Sequence, residues 1–495
     1  MRKQISKTNQ PLIAEPPHGH NCWNLRCGGR GICSSCRVTL LQGTFNVAGK
    51  TMDVRPGMPL QANACQTTLL SATGLIDIPD SAVLAQGGNI ANEWQAAPLP
   101  ANGRPVAAVD LGTTTVVAVR IENGLVVRTA SAFNLQGQYG DNVISRITHS
   151  GSPEGLAQLQ KAAAKTIDSL FAQWPDNADI QVLGLAGNTT MTCLLWGIDC
   201  TSIGVSPFTP PLRVFPVKTA SELGISALPP DTPVHAMPSI SAYVGGDLTA
   251  GLYETELQPG EALVDIGTNC EIILRTASGE HVCTAAAAGP AFEGAGIACG
   301  RRAVPGAIDH ILPGWKFTTI GNEQPNGLCG SAMLDFMAVG NQEGWLSSFG
   351  RLEKDEIADR IRDIDGITAA EIAPNVTLTE KDLDLEQLLK AKAAVFAGIQ
   401  SLLESQNMSF SDLKKLHLAG GFAKYMDLKS AVAIGMLPDV PFNIVGNTSL
   451  AGASRLAAAP SMMDEFIRLS DQPREIPLND IPSFEDNYID ALMLP

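Results

Sequence analysis

Two apolar stretches of the chain share one order of residues and predict the same local structure. In Val106–Arg120 and in Ala262–Leu274, an apolar run ends in Asp, one residue, Gly and Thr, and apolar residues then resume. Short apolar runs bounded by turn residues are typical of buried strands. The Glu122-Asn-Gly124 sequence that follows the first stretch is a hairpin signal. Each stretch therefore predicts a strand, a tight turn and a second strand.

The two copies lie about 155 residues apart and form an internal repeat. A carboxylate at a strand end can hold Mg²⁺ through water, so Asp110 and Asp265 are the candidates for positioning Mg²⁺ and phosphate. A purely structural carboxylate is the alternative. N–H groups and hydroxyls of such turns face phosphate oxygens. The phosphate-lining candidates are Gly112, Thr113, Thr114, Thr115, Gly267, Thr268 and Asn269. Two copies at half-molecule spacing predict a phosphate clamp between two related lobes.

A third apolar strand, within His417–Ala423, ends in the paired glycines Gly420 and Gly421. Glycine lets the backbone approach a ligand closely, so these two residues are predicted to flank a nucleoside. A tight turn without a ligand is the alternative interpretation.

Four further polar residues have two interpretations each. Asp247 follows Val-Gly-Gly before a predicted helix, where it either orients the water that attacks a γ-phosphate or caps the helix. Asn188 and Thr189 either contact phosphate or cap a helix. Glu293, in a glycine-rich run, is a candidate partner-facing or catalytic residue.

Four cysteines in the N-terminal region have the spacing of iron–sulfur ligands. Cys27, Cys33 and Cys36 form a C-x5-C-x2-C loop, and Cys65 follows after 28 residues. Three clustered thiolates with one distant ligand suit a [2Fe–2S] cluster. Cys22 forms a competing C-x4-C pair with Cys27, but that pattern needs a third cysteine after two further residues, and position 30 is Arg. A zinc knuckle is the second alternative, although zinc sites usually pair two C-x2-C units.

The stretch Gly43–Thr51 looks like a P-loop, but five residues rather than four separate Gly43 from Gly49, the glycine before Lys50. It also lies between two cluster ligands, with no predicted helix after it. Because a P-loop must open a helix N-terminus, the sequence argues against this motif.

Periodicity predicts four more elements. Arg37–Leu41 and Leu75–Ile78 are short predicted strands. Glu154–Trp174 and Thr379–Gln406 carry apolar residues at helical spacing and predict core-facing helices. Lys392, in the second of these helices, is a weak candidate for a position near a nucleotide.

The length of 495 residues suggests two to four domains. We expect a ferredoxin-like unit at 1–80, a linker rich in Pro, Gly and small residues at 81–104, a first lobe at 105–255 and a second lobe at 256–495. The linker would let the N-terminal unit move relative to the body.

Composition excludes several classes of protein. A net charge of −16 and a pI of about 4.9 argue against a nucleic-acid or anionic-membrane surface. No run of 18 apolar residues exists and the N-terminus lacks an apolar signal region, so we expect a cytoplasmic protein without membrane spans. The cysteines without ligand spacing are predicted core thiols: Cys193, Cys200, Cys270, Cys283, Cys299 and Cys329.

In this order, the two Asp-x-Gly-Thr stretches and the paired glycines resemble the phosphate-1, phosphate-2 and adenosine motifs of the actin, Hsp70 and sugar-kinase (ASKHA) superfamily. The resemblance implies a duplicated, RNase H-like α/β body that binds ATP and Mg²⁺. The N-terminal cysteine pattern resembles [2Fe–2S] ferredoxins, which implies a small α+β domain of the β-grasp type.

Further motifs narrow the resemblance to the reductive activators of corrinoid-dependent methyltransferases. These motifs are Tyr139–Arg146, Ala186–Met191, Val244–Gly251, Ala287–Ile297, Gly327–Ser331 and Phe484–Pro495. This resemblance implies ATP-dependent reduction of an inactive Co(II) corrinoid protein to Co(I). It also implies an upstream electron donor, and it leaves a homodimer open. The rival hypotheses are a small-molecule kinase of the superfamily with a redox-sensing cluster, and an electron carrier that ATP does not drive.

Overall fold

The computed structural model describes residues 2–6, 8–14, 17, 22–23, 36–78, 83–84, 99–100, 103–294, 297–301, 303–364, 366–380 and 384–495. Of Cys22, Val83 and Leu84 only the backbone is described. Cys27, Cys33 and most of the predicted linker lie outside the described residues. The described strands form a six-stranded N-terminal sheet, two six-stranded sheets in the body and three small sheets.

The N-terminal unit is built around one long strand. Its strands are β1 (Arg2–Ile5), β2 (Cys22–Trp23), β3 (Arg37–Val47), β4 (Lys50–Val54), β5 (Leu60–Asn63), β6 (Thr67–Leu69), β7 (Gly74–Asp77) and β8 (Val83–Leu84). The main sheet has the order β1-β7-β3-β4, and β5 and β6 also pair with β3. Val38, Leu40 and Phe45 on β3 are fully buried and fill the core of this unit.

Both strands predicted in this unit are confirmed. The first is longer than predicted, because β3 continues to Val47 and turns into β4. The P-loop-like stretch Gly43–Thr51 is this hairpin, so no helix follows it and the argument against a P-loop is confirmed. The β-grasp assignment stays a prediction.

The first body sheet contains β9 (Val106–Leu111), β10 (Thr115–Glu122), β11 (Leu125–Phe133), β12 (Leu183–Gly187), β13 (Lys218–Thr219) and β14 (Pro233–Ala236). Its helices are α1 (Val143–Ser150), α2 (Pro153–Phe171), α3 (Thr189–Trp196) and α4 (Gly246–Thr255). The strand order is β11-β10-β9-β12-β14-β13. At the predicted hairpin, Asn123 and Gly124 both have positive φ values, 51° and 78°, as a type I′ turn requires.

The second half continues with β15 (Glu261–Ile266), β16 (Cys270–Arg275), β17 (His281–Ala286), β18 (Ala307–Leu312), β19 (Lys316–Thr319), β20 (Gly327–Leu328), α5 (Gly330–Gln342), β21 (Ile361–Ile364), β22 (Ile367–Ala373), β23 (Val376–Thr379), α6 (Leu385–Glu404), β24 (Lys415–Ala419), α7 (Leu428–Ala433), β25 (Phe442–Gly446), α8 (Thr448–Ala458), α9 (Met463–Ser470), β26 (Arg474–Glu475) and α10 (Phe484–Asp490). The large sheet has the order β25-β24-β15-β16-β17-β26, and β18–β20 and β21–β23 form two small sheets.

The two body sheets confirm the predicted duplication. In each sheet the first three strands in sequence are antiparallel neighbours, and parallel strands follow on the side of the first strand. Asp110 is paired across the hairpin with Val117 and Asp265 with Glu271, so the two Asp residues occupy matching positions.

Helix α8 belongs to the second half of the sequence but packs against β9, β12 and α4 of the first lobe. Leu450, Ala453 and Leu456 of α8 share a buried apolar cluster with Ala108 and Val117. At Gly452, an added Cβ would lie 2.4 Å from the Cβ of Ala250 on α4, so the two helices touch through small residues. The second-half sequence therefore completes the first lobe's packing.

The two predicted helices are present with shifted ends. The first is α2, and the second, α6, begins at Leu385 because Val376–Thr379 is a strand instead. The buried carboxylate of Asp384 accepts hydrogen bonds from the amide and the hydroxyl of Thr379, which fixes the corner before α6. Among the described residues, no helix is long and apolar enough to cross a membrane.

Candidate functional site

A cleft between the two body sheets, with a cavity volume of about 270 Å³, brings most of the predicted site residues together. The predicted residues that line it are Asp110, Gly112, Thr113, Thr114, Thr115, Asn188, Asp247, Asp265, Gly267, Thr268, Asn269, Gly420 and Gly421. Glu293 lines it as well. The strand ends of both lobes thus converge on one space, and their functional roles stay predictions.

The two hairpins touch across the cleft. The hydroxyls of Thr114 and Thr268 lie 2.9 Å apart, although the residues are 154 positions apart in sequence. Thr268 also donates to the Glu293 carboxylate, with distances of 3.1 Å to both oxygens. Because the carboxylate can only accept and Thr268 has one hydroxyl proton, Thr114 is the donor to Thr268. The bridge between the lobes therefore has a defined direction.

Close backbone approaches explain two of the glycines. At Gly112 a Cβ would lie 2.4 Å from the carbonyl oxygen of Thr115, so no side chain fits inside the first turn. Gly420 has a φ of 93°, and a Cβ there would lie 2.7 Å from Oδ1 of Asp265. Any side chain at Gly420 would be strained and would collide with that carboxylate.

Four carboxyl groups line the cleft, where burial is the main cause of their raised pKa values, and neighbouring carboxyls add to the rise in three of them. Desolvation, with smaller contributions from Asp247, Asp110 and Glu293, raises the pKa of Asp265 to about 8. Desolvation and the neighbouring Asp110 raise the pKa of Asp247 to about 7. Burial and these neighbours also raise the pKa of Glu271 well above its usual range. Such a group of carboxyls favours a bound cation, which would relieve their repulsion.

Asp110 differs from the other three carboxyls because both of its oxygens are engaged. Asn447 Nδ2 donates to Oδ2 and the Ser449 hydroxyl donates to Oδ1, each at 2.9 Å. Burial raises the pKa of Asp110, and these two hydrogen bonds oppose that rise. Asn447 and Ser449 were not predicted as site residues, and both lie more than 300 residues from Asp110 along the chain.

The helix-cap interpretation is wrong for Asp247. Gly245 is the N-cap of α4, and Asp247 lies in the first helical turn, where its carboxylate accepts from the amide of Leu248. The side chain lines the cleft and is free to act on a ligand there.

Asn188 fits both of its interpretations, whereas Thr189 neither caps α3 nor lines the cleft. Asn188 caps α3 by accepting from the amide of Met191, and its Nδ2 donates to the Thr113 hydroxyl at 2.9 Å. Thr189 is fully buried, does not line the cleft, and donates to the carbonyl of Ser241. The prediction of Thr189 as a ligand contact is therefore corrected: it holds α3 against the loop before α4.

The cleft contains further residues that the sequence analysis did not assign. On the side of Gly420 and Gly421, Phe422 stacks on Phe292 with ring centroids 5.3 Å apart. Arg301 is the one basic side chain among the described lining residues. Cys329, predicted as a core thiol, lies beside Ser331 and lines the cleft.

The remaining cysteine predictions have a clear outcome. Cys193, Cys200, Cys270 and Cys283 are fully buried, whereas Cys299 is half-buried. Burial raises the pKa of the Cys270 thiol well above its usual range, as expected for a core thiol. Lys392 does not line the cleft: its ammonium donates to the carbonyl of Met493, so the guess of a position near a nucleotide is wrong.

Two of the four predicted cluster ligands are described. Cys36 lies just before β3, and Cys65 lies just after β5, the strand that pairs with β3. The amide of Ala64 donates to the carbonyl of Cys36 at 2.9 Å, so the backbones at Cys36 and Cys65 are neighbours. Both side chains are buried. Cys27 and Cys33, and the side chain of Cys22, lie outside the description.

No three His, Cys, Asp or Glu side chains converge on a metal-sized space within the described residues. A Mg²⁺ ion in the cleft would therefore depend on phosphate oxygens and water in addition to carboxylates, which is its usual mode of binding in nucleotide sites.

Comparison with known proteins is consistent with this geometry. The family described as "RACo middle region" matches residues 106–259. The family described as "C-terminal domain of RACo the ASKHA domain" matches residues 261–495. Together the two matches cover the whole body, from the first strand of the first lobe onward.

Two curated relatives are similar over much of the chain. "Corrinoid activation enzyme RamQ" of Eubacterium limosum is 32% identical over 379 residues, which are 70% of this chain and 63% of the relative. The "Co(II) methylated amine-specific corrinoid protein reductase" of Methanosarcina barkeri is 27% identical over 404 residues, 75% of this chain and 66% of the relative. The chain thus spans less than two thirds of the length of each.

A solved structure, "Reductive activator for corrinoid,iron-sulfur protein", is 28% identical with a TM-score of 0.74. The match covers 96% of this chain and 94% of that one, so the likeness includes the N-terminal unit as well as the body. With residues 106–259 and 261–495 both matched by RACo family models, the chain belongs to the RACo family.

Proposed function

We propose that this protein reduces the inactive Co(II) form of a corrinoid protein to Co(I), with an electron from an N-terminal [2Fe–2S] cluster and free energy from ATP. The observation that carries the ATP part is the contact between Thr114 and Thr268, which joins two matching hairpins above a group of carboxyls. The relatives' names, corrinoid activation enzyme and Co(II) corrinoid protein reductase, support the choice of substrate.

The cleft suits a nucleoside triphosphate with Mg²⁺. The turn residues Gly112–Thr115 and Gly267–Asn269 would hold the phosphates from two sides through amides and hydroxyls. The nucleoside would lie by Gly420, Gly421 and Phe422, where the backbone is bare and an aromatic ring is present.

Asp265 and Asp247 are better placed to serve Mg²⁺ than Asp110. Both oxygens of Asp110 already accept hydrogen bonds from Asn447 and Ser449. Asp265 and Asp247 retain oxygens that face the cleft, and burial together with neighbouring carboxyls raises their pKa values, an effect that a bound cation would oppose. Asp247 would hold Mg²⁺ through water or orient the water that attacks the terminal phosphate.

The N-terminal unit suits a [2Fe–2S] cluster held by Cys27, Cys33, Cys36 and Cys65. Cys36 and Cys65 are buried on neighbouring segments at one end of the sheet, as two ligands from distant parts of a sequence must be. The cluster would supply single-electron transfer. Because each Co(II) takes up one electron, an upstream donor must reduce the cluster again after each turnover.

ATP can drive an uphill electron transfer only if it binds two arrangements of the protein with different affinity. The contact between Thr114 and Thr268 is one arrangement, with the hairpins touching. Phosphate oxygens bound between the same hydroxyls would replace that contact and define the second arrangement. The difference would be passed to the complex with the corrinoid protein.

The test is reduction of candidate corrinoid proteins in their Co(II) form by the purified full chain, under anaerobic conditions, with a chemical reductant that reduces the cluster. We expect the Co(I) absorbance to appear with Mg²⁺ and ATP and to stay absent without ATP. Cys27→Ala should abolish both cluster and reduction but keep nucleotide binding, and Cys22→Ala should keep the cluster.

Two results would overturn the proposal. Equal Co(I) formation with and without ATP would favour an electron carrier that ATP does not drive. Failure to form Co(I) on every corrinoid protein encoded near the gene, together with phosphoryl transfer to a small metabolite, would favour a kinase.

A further inference from the structure

A short turn lies directly behind the first phosphate hairpin, on the side away from the cleft. This 3₁₀ turn, Leu135–Gln138, follows Asn134, whose side chain caps it by accepting from the amide of Gln136. Asn134 and Gln136 are 2% and 0% exposed, so their polar groups bond to protein atoms rather than to solvent. We call Asn134, Gln136 and Arg146 the backing cluster.

The backing cluster binds three consecutive carbonyls of the hairpin. Asn134 Nδ2 donates to the carbonyl of Gly112, and the Asn134 amide donates to the carbonyl of Thr114, each at 2.9 Å. Arg146 Nη2 donates to the carbonyl of Thr113 at 2.6 Å. Because these carbonyls face the backing cluster, the turn is oriented by groups that do not themselves line the cleft.

Gln136 joins the other two members of the cluster. Its Oε1 accepts from Asn134 Nδ2 at 3.1 Å and from Arg146 Nη1 at 3.3 Å, and its Nε2 donates to the carbonyl of Leu159 at 3.1 Å. Arg146 is 1% exposed and its hydrogen-bond acceptors in the described chain are neutral, so burial lowers its pKa to about 9. Burying a guanidinium ion is unfavourable unless its N–H groups are hydrogen-bonded. These hydrogen bonds therefore hold the cluster in one geometry.

The opposite side of the turn faces the N-terminal unit. Strand β2 (Cys22–Trp23) packs against Leu135–Gln138. Trp23 is 4% exposed and belongs to the same buried cluster as Cys36 and Cys65. One turn therefore contacts both the phosphate hairpin of the body and the unit that carries the predicted cluster ligands.

We propose that the backing cluster couples occupancy of the interlobe cleft to the N-terminal unit, with Gln136 and Arg146 as positioning residues. The inference rests on the proposed function in one respect, the binding of a nucleotide in the cleft. A shift of the hairpin on binding phosphate moves three carbonyls, and these move the turn against β2. By linkage, the N-terminal unit must alter nucleotide affinity to the same extent as nucleotide alters the unit.

The first test measures hydrogen exchange of the amides in residues 36–78 of the full chain, with and without Mg²⁺ and a non-hydrolysable ATP analogue. In the wild type we expect the analogue to slow exchange in this range several-fold. Gln136→Leu should still bind the analogue, as measured by calorimetry, but should lose most of this effect.

Gln160→Leu is the matched control. Gln160 Nε2 donates to the carbonyl of Leu195 at 3.1 Å, the same bond length that Gln136 makes to Leu159, but Gln160 is bonded to neither Asn134 nor Arg146. It should keep the full effect of the analogue. If Gln136→Leu does not fold, Arg146→Lys replaces it, since lysine keeps the charge and loses the planar set of donors.

The second test is a double-mutant cycle on the Kd of the analogue. Trp23→Ala should change the Kd several-fold in the wild type and by less than two-fold in Gln136→Leu. A full exchange effect in Gln136→Leu, or equal effects of Trp23→Ala in both backgrounds, would overturn the inference. If the wild type binds no nucleotide, the proposed function and the coupling fall together. If it binds without any change in residues 36–78, only the coupling falls.

Discussion

The two phosphate hairpins have the same backbone order but different surroundings. In the first hairpin, both oxygens of Asp110 accept hydrogen bonds, and the turn behind it is held by Asn134 and Arg146. In the second, the carboxyl group of Asp265 accepts no hydrogen bond from another described residue, and burial raises its pKa to about 8. Two carboxylates at matching positions of a repeat thus have different chemical roles.

The two hairpins therefore share a backbone arrangement, whereas the contacts of their side chains differ. Asp110 binds α8 and so connects the halves of the sequence, whereas Asp265 keeps its oxygens available in the cleft. The first hairpin is bonded to the backing cluster and to α8, and the second carries the carboxylate that can respond to a cation. Four experiments test whether the two hairpins differ in this way.

The largest difference is expected in activity. Asp265→Asn should lower ATP-dependent Co(I) formation by about 1,000-fold, because a cation contact contributes several kcal/mol to phosphoryl chemistry and about 1.4 kcal/mol corresponds to a tenfold change. Stopped-flow absorbance of the corrinoid partner measures the rate. A rate within tenfold of the wild type would show that Asp265 does not serve Mg²⁺, and the comparison would fail.

The second difference is in stability, where the substitution of Asp110 is expected to have a larger effect than that of Asp265. Asp110→Asn should lower the free energy of unfolding by about 2 kcal/mol, because an amide presents only one oxygen and leaves Asn447 or Ser449 without an acceptor. Asp265→Asn should leave that free energy unchanged or raise it, since it removes a repelled carboxyl. Urea unfolding without nucleotide measures both, and equal losses would contradict the comparison.

The third test is the pH dependence of stability. Desolvation raises the pKa of Asp265 to about 8 in the folded protein, above its usual value of 3.8, so the folded state holds a proton that the unfolded chain lacks at intermediate pH. Stability from this group is fully present below about pH 4 and is lost as pH rises toward 8, with a slope of at most about 1.4 kcal/mol per pH unit. Asp265→Asn should reduce the slope between pH 5 and 8. In that variant stability should still fall as pH rises, because the pKa of Asp247 is also raised, to about 7.

The smallest effect concerns the contact between the hairpins. Thr268→Val removes a hydroxyl that we propose donates to phosphate, along with its bonds to Thr114 and Glu293, and should weaken nucleotide binding about fivefold, or about 1 kcal/mol. Thr284→Val is the control, because the buried Thr284 hydroxyl on β17 has no hydrogen-bond partner in the described chain. Calorimetric titration should show no change for the control. An equal loss in both variants would attribute the effect to packing alone.

The sequence predicted those parts of the site that depend on local signals. Each Asp-x-Gly-Thr turn is encoded in a few adjacent residues, and the strand, turn and strand all follow from them. The β3–β4 hairpin is distinguished from a P-loop by its spacing and by the lack of a helical pattern after it. The helix-cap interpretation of Asn188 is also local, since the capping bond to Met191 spans three residues.

Residues that meet only in the folded chain were not predicted. Asn447 and Ser449 reach Asp110 from α8, and no spacing rule relates positions so far apart. One signal was present: Gly446-Asn447-Thr448 repeats the strand-to-helix sequence Gly187-Asn188-Thr189. Cys329 was assigned to the core from its apolar neighbours, but a helix start places it in the cleft.

The crossing of α8 onto the first lobe has a consequence for biosynthesis. The layer that covers β9 and β12 is encoded after residue 447, so a ribosome must release most of the chain before the first lobe can close its core. Contacts between such distant segments form late and slow the search for the native state. The nascent first half will therefore expose an apolar sheet face, and chaperone binding to that face should end only when α8 leaves the exit tunnel.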